Sequence, residues 1–247
     1  MTGQAIKTTC VAPLAGGGNR LSSCNKGFTL AEVLITLGII GVIAALTIPA
    51  VITHYRKQEV IARLKKFYST FNNALLAAIA ENEAMEYWEY PAHQNSGEEM
   101  DIFVRKYLFP YFKGLKNCGS KEAGCKDISK YLYSSQPVYI FTDGSCFSML
   151  KGGGDTGSGL MHIRYDVNCA GKPNKDNHDI FGFTIRFSAG TAFIFKPGST
   201  SSYNLTDRNE LLKNCKNEDD NPHSDASCAA LIYFDGWEIS KDYPYKI

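Results

Sequence analysis

Apolar residues are distributed very unevenly along this chain. From Phe28 to Ile52 it reads FTLAEVLITLGIIGVIAALTIPAVI, with Glu32 as the single charged residue. The twenty residues from Val33 to Ile52 make about 30 Å of α-helix, enough to cross the hydrocarbon layer of a membrane. A core helix of a soluble domain would ordinarily be shorter and would show a polar face. Beyond Tyr55 the pattern changes. Val60, Ile61, Leu64, Phe67, Tyr68, Phe71, Leu75 and Ala78 or Ile79 recur at helical spacing, so one stripe must be buried while the rest is wet. The expectation is one helix from Phe28 to about Met85, bent locally at Pro49, apolar all round at first and amphipathic afterwards.

The remainder alternates with a period of two. A connecting region from about Glu86 to Ser135 holds a short helical stretch, Ile102 to Lys113, interrupted by Pro110. Strands are predicted at Val138 to Thr142 and Ser145 to Leu150, joined by Asp143-Gly144 in a two-residue type I′ hairpin turn. Leu160 to Val167 follows a Gly-rich loop. Phe181, Phe183, Ile185 and Phe187 alternate with Gly182, Thr184 and Arg186, turn at Ser188 to Gly190 and return as Ala192 to Phe195. The fold class is therefore α+β, with a long N-terminal helix packed on an antiparallel sheet.

Charge and composition narrow the function. With 21% charged residues, a net charge of +1 and a pI near 7.5, no broad basic field exists to attract phosphates, and no nucleic-acid partner is predicted. Residues 1 to 27 carry Lys7, Arg20 and Lys26 and no acidic residue, which favours a cytoplasmic N-terminus. A secretory signal peptide would have a shorter apolar core and small residues at its end. Leu21-Ser22-Ser23-Cys24 looks like a lipid-attachment box, but no apolar run precedes it. One pattern opposes this orientation. Arg56, Lys57, Arg63, Lys65 and Lys66 follow the span against Glu59, a more basic flank than the leader.

The boundary Lys26-Gly27-Phe28-Thr29-Leu30-Ala31-Glu32 resembles the cleavage and methylation site of type IV prepilins and type II secretion pseudopilins. A basic residue and Gly precede an aromatic residue, Glu32 is the fifth residue after Gly27, and Pro49 interrupts the apolar helix where this family has a proline. Two later segments are also similar to type II secretion-like pseudopilins. Asp166-Val167-Asn168-Cys169-Ala170-Gly171-Lys172-Pro173-Asn174 with Asp179-Ile180-Phe181 matches a D-x-N-G...P-N...D-x-F pattern, with Cys169 standing where Gly is usual. The tail, Cys228-Ala229-Ala230-Leu231-Ile232 with Asp235-Gly236-Trp237 and Asp242-Tyr243-Pro244, is similar to that group's closing segment.

The resemblance implies a cleaved leader (1–27), a transmembrane and filament-core helix (28–52), an amphipathic helix (53–90) and a periplasmic or extracellular head (91–247). It implies cutting after Gly27 and N-methylation of Phe28 by a prepilin peptidase/N-methyltransferase. Other pilin or pseudopilin subunits and an inner-membrane assembly platform are the further partners it implies. The protein would sit in the bacterial inner membrane as a single-pass protein and then in a pilus or pseudopilus. Glu32 would pair with the Phe28 amine of a neighbour. A carboxylate in a membrane helix is costly enough, roughly 2.5 to 3.5 kcal/mol on insertion scales, to demand a partner or a route to the interface.

Eight Cys are present, with Cys10 and Cys24 in the leader and Cys118, Cys125, Cys146, Cys169, Cys215 and Cys228 beyond the span. An even set on that side fits disulfides in an oxidising compartment. No CxxC pair supports zinc. Proximity favours 118 with 125 and 215 with 228, leaving 146 with 169, although six Cys admit other pairings. No cofactor is expected beyond a weak Ca2+ candidate in Asp166, Asn168, Asn174, Asp176 and Asp179, for which an Asx-rich turn is the commoner explanation. No enzyme chemistry emerges. Asp155-Thr156-Gly157-Ser158 copies an aspartic-protease string without its apolar strand or a second copy, and the five His, at 54, 93, 162, 178 and 223, form no ligand pair. The alternative class is a single-pass anchored periplasmic binding protein or enzyme that never polymerises.

Overall fold

The computed structural model describes residues 27–119, 128, 132–153, 158–188, 190, 192–199, 206–216 and 224–247. The chain divides into two compact units, residues 1–54 and 55–247. Helix α1 (Leu30–Asn82) contributes to both and continues through Pro49. In the first unit its apolar side chains, among them Leu34, Ile39, Val42 and Leu46, are exposed. A window of mean hydropathy 2.5 there is 0% buried, the opposite of a soluble core helix, and it makes α1 long and apolar enough to cross a membrane.

In the second unit α1 buries Val60, Ile61, Leu64, Phe67, Phe71, Ala74, Leu75 and Ala78, nearly the stripe its spacing predicts. The helix stops at Asn82, short of Met85, because Glu83 takes a left-handed φ of 68°. No Gly marks that stop in the sequence, and the indole of Trp88 secures it by donating to the Glu83 carbonyl (3.1 Å). A short 3-10 turn (Met85–Tyr87) leads to helix α2 (Gly97–Tyr107), which is capped by Ser96 Oγ accepting from the Glu99 N–H. The expected Ile102 to Lys113 helix is thus shifted towards the N-terminus. Pro110 lies in a separate 3-10 turn, Phe109–Tyr111.

The sheet is a six-stranded antiparallel meander: β1 (Lys116–Gly119), β2 (Val138–Ile140), β3 (Cys146–Lys151), β4 (Ser158–Asp166), β5 (Ile180–Ser188) and β6 (Ile194–Pro197), in that spatial order. The sequence pattern missed β1, which is short and mostly polar. Register stacks Phe147 on Tyr165, Tyr165 on Phe181, Ile163 on Phe183 and Ile185 on Phe195, placing one apolar face against α1. Phe67 is the hub, with ring centroids 4.0 Å from Tyr165, 4.9 Å from Phe183 and 5.3 Å from Phe71.

The β2–β3 connection corrects the expected two-residue turn. Type I′ requires positive φ at both central residues, but here only Gly144 has it (82°). The Gly144 N–H donates to the Phe141 carbonyl (3.0 Å) and the Phe141 N–H to the Ser145 carbonyl (2.8 Å). That is a three-residue loop closed by a left-handed Gly.

The strand β5 alternates in type as expected, yet both its faces are buried. Two helices are not evident from apolar periodicity, α3 (Arg208–Cys215) and α4 (Ser224–Phe234); α4 covers the second face of β5, and α3 packs on α4. Helix α4 lies over the second face so closely that a Cβ on Gly182 would stand 2.7 Å from the Ala226 Cβ and 2.8 Å from its Cα. Disulfides join Cys146 to Cys169 and Cys215 to Cys228. Cys118 is also disulfide-bonded, while Cys125 lies outside the described residues.

Candidate functional site

Glu32 and its neighbours form a reciprocal cap at the start of α1. The Thr29 N–H and hydroxyl both donate to Glu32 Oε2 (2.8 and 2.9 Å), and the Glu32 N–H donates back to Thr29 Oγ1 (3.2 Å). This is a capping box, in which two otherwise unpaired helix-terminal groups satisfy each other. The spacing Thr-x-x-Glu was its available signal. The positive end of the helix dipole adds to the preference for a carboxylate there. Both bonds converge on Oε2, so Oε1 takes no hydrogen bond among the described residues.

Phe28 is 87% exposed and just outside the helix. A Cβ added to Gly27 would meet nothing within 4 Å, so no packing among the described residues requires glycine at that position. Lys26 lies outside the described residues. Around Pro49, Thr47 Oγ1 donates to the Ile43 carbonyl (2.9 Å) and Thr53 Oγ1 to the Pro49 carbonyl (3.0 Å).

A second constellation is the loop between β4 and β5. Asp166 is fully buried, and its Oδ1 accepts from the N–H groups of Asn168 (2.9 Å) and Cys169 (2.8 Å). Burial pushes its carboxyl up to about 7, against the pull of those two N–H bonds, with the Asp179 charge adding to the rise. Asp179 is likewise buried and raised by burial, although its oxygens accept from the N–H groups of Asn174 and Lys175 (2.7 Å each). Asn168 Nδ2 reaches Asp179 Oδ2 at 3.5 Å. Asp166 Oδ2 and Asn168 Oδ1 are buried with no hydrogen-bond partner among the described residues, a costly condition for an interior oxygen.

The structure thus brings Asp166, Asn168 and Asp179 together, while Asp176 is held by the Arg164 guanidinium instead. Two carboxylates and an amide oxygen are the hard donors that suit a cation such as Ca2+. No group of three or more His, Cys, Asp or Glu gathers among the described residues. Cys169 adopts φ 52°, in the left-handed region that glycine occupies most readily. Its disulfide and the Asp166 bond fix it there.

Asp155, Thr156 and Gly157 of the protease-like string lie outside the described residues, as does His223. His93 pairs with Glu99 (2.7 Å), and His178 Nδ1 lies 3.1 Å from the Asp176 carbonyl.

Comparison with known proteins adds two findings. Residues 22–48 match the prokaryotic N-terminal methylation motif. This is the prepilin-type cleavage and methylation signal of type IV pilins and pseudopilins, which supports a pilin-type precursor and implies processing by a prepilin peptidase. Its apolar helix fits anchoring in the inner membrane. Residues 50–247, four fifths of the sequence, match a family of unknown function (DUF6613), and the chain belongs to that family. No curated protein and no solved structure matches it.

Proposed function

We propose that this protein is a structural subunit, made as a prepilin, of a type IV pilus or type II secretion pseudopilus. It is cut after Gly27, methylated on Phe28 and assembled through its apolar helix. The observation that carries this reading is the methylation signal at residues 22–48, which contains a Glu32 whose carboxylate holds one oxygen in the helix cap and leaves the other open. Cleavage frees an amine on Phe28, and Glu32 Oε1 of an incoming subunit can pair with a neighbour's amine without breaking the cap. Its work is then assembly rather than turnover, with the head facing the periplasm. An anchored binding protein needs neither cleavage nor this pairing.

Mass spectrometry of the N-terminal peptide from the protein's own membranes tests the reading. A peptide beginning at N-methylated Phe28 is expected. A chain that retains Met1, or begins anywhere other than Phe28, overturns it.

A second reading rests on the two orphaned oxygens. Asp166, Asn168 and Asp179 would hold Ca2+, which would keep Asp166 ionised and tie the β4–β5 loop. Millimolar Ca2+ should then raise the melting temperature of the full chain in detergent, and Asp166→Asn should abolish the rise. An unchanged melting temperature on adding EDTA and then Ca2+ would remove this site.

A further inference from the structure

The basic flank after the span counts against a simple charge rule for orientation, and the structure gives it a different use. A cleft of about 240 Å³ lies within the second unit between the start of its part of α1, the β4–β5 loop and the last residues of the chain. Arg56, Lys172 and Lys246 line it, all three are exposed, and none has an ion-pair partner among the described residues. The two acidic residues at the cleft are already committed. Glu59 pairs with Arg63 (3.0 Å), and Asp179 is buried with both oxygens on backbone N–H groups. Arg63 itself is spent on Glu59 and the Val167 carbonyl (2.8 Å).

We propose that this cleft binds the phosphate of an anionic phospholipid. Three cations without an ion-pair partner, set against the single α-carboxylate of Ile247, leave the concavity net positive and suited to a phosphate, and a guanidinium adds the forked donor geometry that phosphate oxygens favour. Two observations select a lipid over a soluble phosphate. Arg56 is four residues beyond Ile52 in the same helix, about 6 Å of axial rise, so the cleft is tethered close to the end of the apolar segment. Its walls also include Val60, Val167, Pro173 and Ile247, apolar surface that suits the glycerol and first acyl carbons of an amphiphile. Basic residues just beyond a membrane helix draw anionic lipid electrostatically on whichever side they lie. The site is therefore independent of the filament reading and of orientation.

The test is native mass spectrometry of the full chain in neutral detergent, titrated with phosphatidylglycerol, with phosphatidylcholine or with inorganic phosphate. Wild type should retain phosphatidylglycerol roughly tenfold better than phosphatidylcholine. The triple variant Arg56→Gln, Lys172→Gln, Lys246→Gln should lose that preference with an unchanged circular-dichroism melt. A control variant, Lys113→Gln, Lys116→Gln, Lys241→Gln, removes the same charge from exposed lysines elsewhere and should keep the preference. Equal retention of the two lipids, or equal loss in both variants, overturns the proposal. Displacement of phosphatidylglycerol by millimolar inorganic phosphate also overturns it, since the site would then belong to a free anion.

Discussion

Glu32 carries two demands at one position. Its Oε2 closes a helix cap while its Oε1 is left over, so the charge and the hydrogen-bonding geometry can be separated by substitution. Glu32→Gln keeps an acceptor for Thr29 but cannot neutralise an amine. We expect this variant to insert and be processed normally, yet to yield at least tenfold fewer filaments by electron microscopy; wild-type filament counts would remove the ion pair from the assembly step.

Asp143 gives a prediction about the fold itself. Burial alone would raise its carboxyl, but Lys66 (2.7 Å) and the Ser145 hydroxyl and N–H outweigh burial and bring it down from 3.8 to about 2. A depressed folded value means that its contribution is complete above about pH 4 and is lost as pH falls towards 2. Lys66 is mostly exposed, so the contribution is discounted to roughly 1 kcal/mol. Asp143→Asn should melt a few degrees lower at pH 6, and the gap should close near pH 2. A gap that persists there would assign the effect to lost turn geometry rather than charge.

Among the elements, the amphipathic half of α1 was legible because its buried stripe follows one rule, and β5 because aromatic and small residues alternate. The start of α1 was legible for processing but not for capping, which becomes visible only when Thr29 is paired with Glu32. Helix α4 was hidden for a physical reason. Ala226, Ala229, Ala230, Leu231 and Ile232 are all buried, so it lacks the polar face that gives a helix its period. A signal for α3 did exist, since Asp207 caps the Asn209 N–H (2.8 Å) with Glu210 three residues on. The spacing of Asp166, Asn168 and Asp179 is visible in the sequence, but it groups them with Asp176, whose pairing with Arg164 no spacing could reveal.

Phe67 and Gly182 test the two faces of the sheet separately. Phe67→Ala removes the ring that stacks on Tyr165 at 4.0 Å and should cost about 3 to 5 kcal/mol in denaturant unfolding. Gly182→Val must push its side chain against the α4 backbone, 2.8 Å from the Ala226 Cα, and should cost about 1 to 3 kcal/mol. If Gly182→Val melted like wild type, α4 would not be held on that face.

Across the whole molecule, the strands pair in strict chain order, β1 to β6, so none waits for a later strand to slot between its neighbours. Helix α1 is made before any of them, and its stripe can serve as a surface on which each hairpin settles as it arrives. Helix α4 can close over Gly182 only after β5 is in place. A head delivered across a membrane with its α1 end first, as the proposed orientation requires, can therefore fold at the pace of its delivery, without holding long stretches open. Timing becomes a property of the topology. In alkylation-quenched pulse-chase samples, the Cys146–Cys169 bridge should be acquired before Cys215–Cys228, and the last hundred residues are where a stalled chain would be caught incomplete.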